Sequence, residues 1–197
     1  METIVLTEKD FKDGVYCGKD DLSNIDGNLE INVSGWLRFE GDIYAEGGIS
    51  AEGDISAEGG IYAKGGIYAE GDISAGGGIS AEGGIYAKGD IYAKGGISAG
   101  GDISAKGGIL EALHGITAGL KIYARTTIEC GMRIFAGTTP WSWVGKEHRE
   151  IKCGKLLKGE IAYGDLIETG LEDNIEVEKA IKLLEEKGII KDGRIVV

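Results

Sequence analysis

The sequence predicts an all-β fold: a single-stranded parallel β-solenoid of triangular cross-section, about 18 residues per coil, with a small C-terminal capping region of strands and one helix. Three observations carry this. An aliphatic residue recurs every six positions from Ile25 through Ile109, and after one extra residue from Ile116 through Ile134, giving nineteen hexads. Within a hexad, polar and apolar residues alternate. Features that break the monotony, such as Asp54, Asp72 and Asp90, realign at a spacing of 18.

Each observation has a physical reading. A hexad runs Ile, Tyr or Ser, Ala, Glu or Lys, Gly, then Gly or Asp, as in Gly59-Gly60-Ile61-Tyr62-Ala63-Lys64. Ile and Ala fall on one side, Tyr/Ser and Glu/Lys on the other. A period of two is that of a strand. Six is not a helical period, and each interior Gly costs a helix about 1 kcal/mol. The Gly pair that closes a hexad suits a corner, through positive φ or close backbone approach. Three hexads per turn put Asp54, Asp72 and Asp90 in one column, Tyr44 over Tyr62, and Tyr68 over Tyr86. About six such coils at ~4.8 Å make a rod roughly 30 Å long. No hexad can bury its Ile alone, because only neighbouring coils cover it.

The chain divides into an N-terminal cap at 1–24, the solenoid at 25–137 and a capping or docking region at 138–197. In the last region an aromatic cluster surrounds Pro140, Trp141 and Trp143. Two strands are expected at 151–157 and 160–168, joined near Gly159. A helix is expected at 175–187, with Asn174 or Asp173 as N-cap and Gly188 as its stop. The end of the chain reads as a hairpin turning at Asp192-Gly193.

Composition narrows the function classes. Glycine is abundant, 36 of 197 residues with a single Pro, and lacks the three-residue period of collagen. Net charge is −12, and residues 1–72 hold 16 acids against 5 bases. Such a field disfavours nucleic acid and membrane surfaces and favours a basic protein surface. No apolar run approaches the ~18 residues of a membrane span. Cys17, Cys130 and Cys153 form no CxxC pair; free buried thiols and a cytoplasmic location are expected. There is no phosphate-binding loop, no GxSxG, no Cys/His metal spacing and no dinucleotide fingerprint, so neither catalytic residue, metal nor cofactor is expected. The Asp54/Asp72/Asp90 column reads as repulsive, in need of screening, a cation or a basic partner.

The Gly-Asp-Ile-x-Ala pattern in 18-residue turns, over 25–137, resembles the bactofilins. That resemblance implies a cytoskeletal β-solenoid rod assembling end to end; the sixty or so residues at the C-terminus are an addition to its pattern. The repeat also resembles that of the hexapeptide acyltransferases, which imply a catalytic His between coils. Their small residue just after the aliphatic one is here Tyr or Ser, as at Tyr44 and Ser50. His114 lies in Leu110–Gly115, where a bulge is expected to absorb the extra residue; His148 reads as part of a charged turn.

The function expected is therefore a non-enzymatic acidic solenoid that binds another protein through its outer face, on the pattern of a phage or mobile-element inhibitor that mimics nucleic-acid charge. The residues expected to bind are Glu40, Glu46, Glu52, Asp54, Glu58, Glu70 and Asp72, with Tyr44, Tyr62 and Tyr68. A self-assembling, bactofilin-like scaffold or homo-oligomer is the alternative, and an acyltransferase the third reading.

Overall fold

A computed structural model describes residues 2–139, 145–170, 190–191 and 194–195. It is a parallel β-solenoid with three faces, and from Ile43 to Ala105 the three-residue strands, Ile-Tyr/Ser-Ala, pair with one another at a spacing of 18 residues. This is the coil of a hexapeptide-repeat, bactofilin-like solenoid.

Face one stacks Glu2–Leu6, Gly27–Ile31, Ile49–Ala51, Ile67–Ala69, Ile85–Ala87, Ile103–Ala105, Ile122–Ala124, Glu150–Cys153 and Asp165–Glu168. Face two stacks Arg38–Phe39, Ile55–Ala57, Ile73–Ala75, Ile91–Ala93 and Ile109–Ala112. Face three stacks Ile43–Ala45, Ile61–Ala63, Ile79–Ala81, Ile97–Ala99 and Ile116–Ala118. Faces two and three both run into Thr127–Phe135, one strand that turns the corner between them. Nine strands at ~4.8 Å make face one about 38 Å long, more than the expected 30 Å because both ends add strands.

The core is the set of inward columns. Ile43, Ile55, Ile61, Ile67, Ile73, Ile85 and Ile91 are wholly buried, and the alanines beside them let the walls close on a narrow axis. Identical aliphatics stacked in register leave no room for a polar atom, and no buried side-chain nitrogen or oxygen lacks a hydrogen bond among the described residues.

Two readings of the repeat change. The extra residue sits earlier than expected. Leu110, not Ile109, aligns with Ile91, and Ile109 takes the corner place that Asp54, Asp72 and Asp90 hold in earlier coils. Leu110–Gly115 is consequently a regular hexad, with His114 exposed at a corner glycine position. The corner glycines also work differently from one half of the expectation. None between Gly41 and Gly131 has positive φ; at many of them what forbids a side chain is the neighbouring coil, as at Gly76, where a Cβ would lie 2.0 Å from the Glu58 carbonyl oxygen.

At the N-terminal end each face has its own cover. Glu2–Leu6 pairs with Gly27–Ile31 on face one. A hairpin, Phe11–Lys12 with Val15–Tyr16, covers face two, turning at Asp13 (φ 52) and Gly14 (φ 80). That Asp-Gly pair is the signal the sequence reading passed over. The rings of Phe11, Tyr16 and Phe39 lie 5.6–5.8 Å apart beneath it. On face three, Ile25 N–H donates to the Tyr44 carbonyl at 2.9 Å and Tyr44 N–H to the Leu22 carbonyl at 2.8 Å.

Parallel stacking continues past residue 137. Ile151 aligns under Ile122, Lys155–Tyr163 pairs with Thr127–Phe135, and Leu166 aligns under Ile151. The strand breaks fall at Gly154 and Gly164, not at Gly159. Gly159, at φ +122, is a corner inside a continuous strand. Lys158 stands opposite Glu129 and Glu160 opposite Arg133, so one residue does the work of three in the coil before. The C-terminal hairpin pairs Ile190 with Ile195 and Lys191 with Arg194. The expected aromatic cluster at Trp141 and Trp143 and the expected helix lie outside the described residues.

Candidate functional site

The three corners separate residues that the sequence reading had grouped. A six-residue step rotates a residue to the next corner, and an 18-residue step returns it to the same edge. Glu40 and Glu58 stand on the edge between faces two and three, Glu46 on that between three and one. Glu52, Asp54, Glu70 and Asp72 share the edge between one and two, where Tyr68 is also near. Tyr44 and Tyr62 are in register on face three.

Several of these carboxylates already have partners. Glu46 pairs with Lys64 and accepts from the Tyr44 hydroxyl at 2.9 Å; these contacts hold its carboxyl below the usual range, the lysine first. Glu58 pairs with Arg38, and Glu70 with Lys88, as its place one coil below predicts. Glu40 and Glu52 are exposed, and their carboxylates make no hydrogen bond or ion pair among the described residues.

The aspartate column is not the repulsive stack expected. Asp54 Oδ1 accepts from the Asp72 N–H at 2.9 Å, Asp72 Oδ1 from the Asp90 N–H at 2.8 Å, and Asp90 Oδ1 from the Ile109 N–H at 2.8 Å. Asp42 and Asp102 do the same for Gly60 and Lys121 on the other two corners. Each carboxylate points along the rod and satisfies a backbone donor that the turn leaves without a ladder partner. Among the described residues no group of three His, Cys, Asp or Glu side chains is placed to hold a metal.

Face one carries the feature with most to offer a partner. Its outward column reads Glu30, Ser50, Tyr68, Tyr86, Ser104 and Tyr123. Tyr68 and Tyr86 stack with centroids 5.1 Å apart and planes 9° from parallel, and Tyr68 is 51% exposed. Each ring lies back over the glycine two residues earlier; a Cβ on Gly66 would come 2.6 Å from the Tyr68 ring. Tyr86 Oη donates to Asp102 Oδ2 at 3.4 Å, and burial, then Asp102, raises its phenol. Beside this column runs the edge column Glu52, Glu70, Lys88, Lys106. Ser50, Tyr68 and Tyr86 of the first column and all four residues of the second line a shallow groove of about 820 Å³.

The other chemical candidates are ordinary. His148 sits 3.6 Å from Glu147 in a short turn at Lys146–His148. Cys17 is exposed, against the expectation of burial. Cys130 and Cys153 are buried: the Cys130 thiol donates to the His114 carbonyl at 2.9 Å, and burial, with Glu168, pushes Cys153 up to about 11. No described helix is long and apolar enough to cross a membrane. No family model, no curated protein and no solved structure matches this chain.

Proposed function

We propose that this chain is a non-enzymatic protein-binding rod that makes contact through the tyrosine-bearing side of face one. The observation that carries the reading is the stacked, exposed Tyr68–Tyr86 pair bordered by charged side chains in one groove. Tyrosine gives contact area at low entropic cost, and a charged rim sets orientation. The parallel sheet beneath holds both rings in register before any partner arrives.

Capture of binding proteins by the immobilised full chain tests this, compared with Tyr68→Ser/Tyr86→Ser. The reading expects the double variant to keep its fold, judged by circular dichroism, and to lose capture. Equal capture by both overturns it.

A second reading has its own observation: the exposed carboxylates of Glu40 and Glu52 within a segment of 16 acids and 5 bases. In it the N-terminal coils engage a basic protein surface in the manner of a nucleic-acid mimic. Reversing Glu52, Glu58 and Glu70 to Lys then slows association strongly, while Lys88, Lys94 and Lys106 to Glu matters little. Equal effects exclude it.

A further inference from the structure

We infer that face one binds a second copy of this chain, the two rods lying side by side and antiparallel. The inference rests on the reading of face one as a protein-binding surface and names its partner. It follows from a symmetry between two columns. The edge column runs Glu52, Glu70, Lys88, Lys106: two acids, then two bases. The outward column runs Ser50, Tyr68, Tyr86, Ser104: the same forwards and backwards. Both share one centre, between the Tyr68 and Tyr86 coils.

A two-fold axis parallel to the strands through that centre reverses the rod axis and turns face one onto itself, but keeps each edge on its own side. Glu52 then meets the partner copy's counterpart of Lys106, and Glu70 that of Lys88. The reciprocal pairs form automatically, as in any isologous interface. Tyr68 meets the copy's equivalent of Tyr86, so four rings form one cluster. One coil further out, Glu30 faces the position of Tyr123, a phenol that can donate to its carboxylate. A parallel arrangement would swap the two edges of the face, so that Glu52 would meet an acid, the copy's Glu46, and Lys106 a glycine, Gly100, in place of each other.

The area is adequate only if the whole face takes part. The axis leaves four strands on one side and five on the other, so eight overlap; about 34 Å by some six residues of width, about 20 Å, would bury roughly 1,300 Å² over both copies, toward the low end of a standard interface. The central four coils alone would bury about half that.

Charge reversal in trans tests the inference, with sedimentation velocity as the readout. Glu52→Lys/Glu70→Lys makes the edge column all basic; Lys88→Glu/Lys106→Glu makes it all acidic. The wild-type chain is expected to dimerise in a range of about 1–100 μM. Each double variant alone should dimerise at least about tenfold more weakly, and to a similar degree. An equimolar mixture should restore the dimer, because the two columns then complement each other. The four changes made together in one chain should also restore it. Circular dichroism of each variant checks the fold, since only exposed side chains change. A wild-type chain that stays monomeric throughout overturns the second-copy inference; if the Tyr68→Ser/Tyr86→Ser variant still loses captured protein, the protein-binding reading of face one stands without it. A dimer that neither double variant weakens, or that the mixture fails to restore, also overturns the inference.

Discussion

The coils from Ile43 to Ala105 and the last coil, Glu150 to Glu168, follow the same winding but live by different rules. In the middle coils every Ile is almost wholly buried, and those at the centre, such as Ile67 and Ile73, have an aligned Ile above and below. In the last coil Leu166, which continues the inward column of Ile122 and Ile151, is 39% exposed, and a single glycine replaces a three-residue corner. Periodic sequence thus marks where a strand has neighbours on both sides. Once one side is free of a described strand, the pattern relaxes while the hydrogen-bonded register persists.

The sharpest way to break that comparison is the same substitution in both regions. Ile73→Asp buries a lone carboxylate in a closed aliphatic column and should cost several kcal/mol, enough to abolish a cooperative unfolding transition. Leu166→Asp, in an inward column on a half-open edge, should lower the unfolding free energy by no more than about 1 kcal/mol in urea. Comparable losses would mean that the last coil is as tightly closed as the middle.

The aspartate ladder gives the next effect. Asp72→Ala leaves the Asp90 N–H without its acceptor, at a cost of about 1–3 kcal/mol. Asp72→Asn keeps a carbonyl oxygen there and should lose less. If the ladder were merely repulsive, both changes would stabilise, and chemical denaturation decides between the two.

Alkaline pH probes the middle coils through Tyr92. Burial, then its hydrogen bond to Asp90 at 2.9 Å, pushes its phenol up to about 12. A phenol raised in the folded state contributes stability that is complete below its unfolded value near 10. That contribution is lost as pH rises through the folded value. Thermal midpoints should therefore fall between about pH 10 and 12, and fall less in Tyr92→Phe. An unchanged slope would show that this phenol is as free as one in water.

Surface pairs should matter least. A double-mutant cycle on Glu70 and Lys88, both more than half exposed, should return about 0–1 kcal/mol. Arg149 and Asp165, joined through two guanidinium nitrogens at 2.7 and 3.4 Å, should couple more strongly, placing the better ion pair in the irregular coil.

The repeat made the coil legible because every Ile occupies an equivalent place, so the 18-residue register follows from counting. It failed where two aliphatics adjoin. At Ile109-Leu110 either can fill the column, and only the bond from Ile109 N–H to Asp90 decides. Glycine was ambiguous for a similar reason: Gly154, Gly159 and Gly164 all punctuate, and which of them ends a strand depends on the coil beneath. The spread of Glu40, Glu46 and Glu52 over three corners was implicit in the coil length; grouping them by charge ignored the rotation. The direction of the aspartate carboxylates was not in the sequence at all, because it depends on a donor one coil away.

That carboxylate writes a grammar across the coils. Its Oδ1 passes so close to the following coil that a Cβ on Gly59, Gly71 or Gly89 would lie 1.9–2.1 Å from Asp42, Asp54 or Asp72. An Asp at one place therefore demands a Gly seventeen residues later, and the hexad always supplies one. A duplicated or deleted block of eighteen residues carries both halves of the rule with it. Such a chain can be lengthened or shortened like a ruler cut at its graduations, each new coil finding its acceptors and its clearances already in place. A single inserted residue forces the shift seen at Ile109.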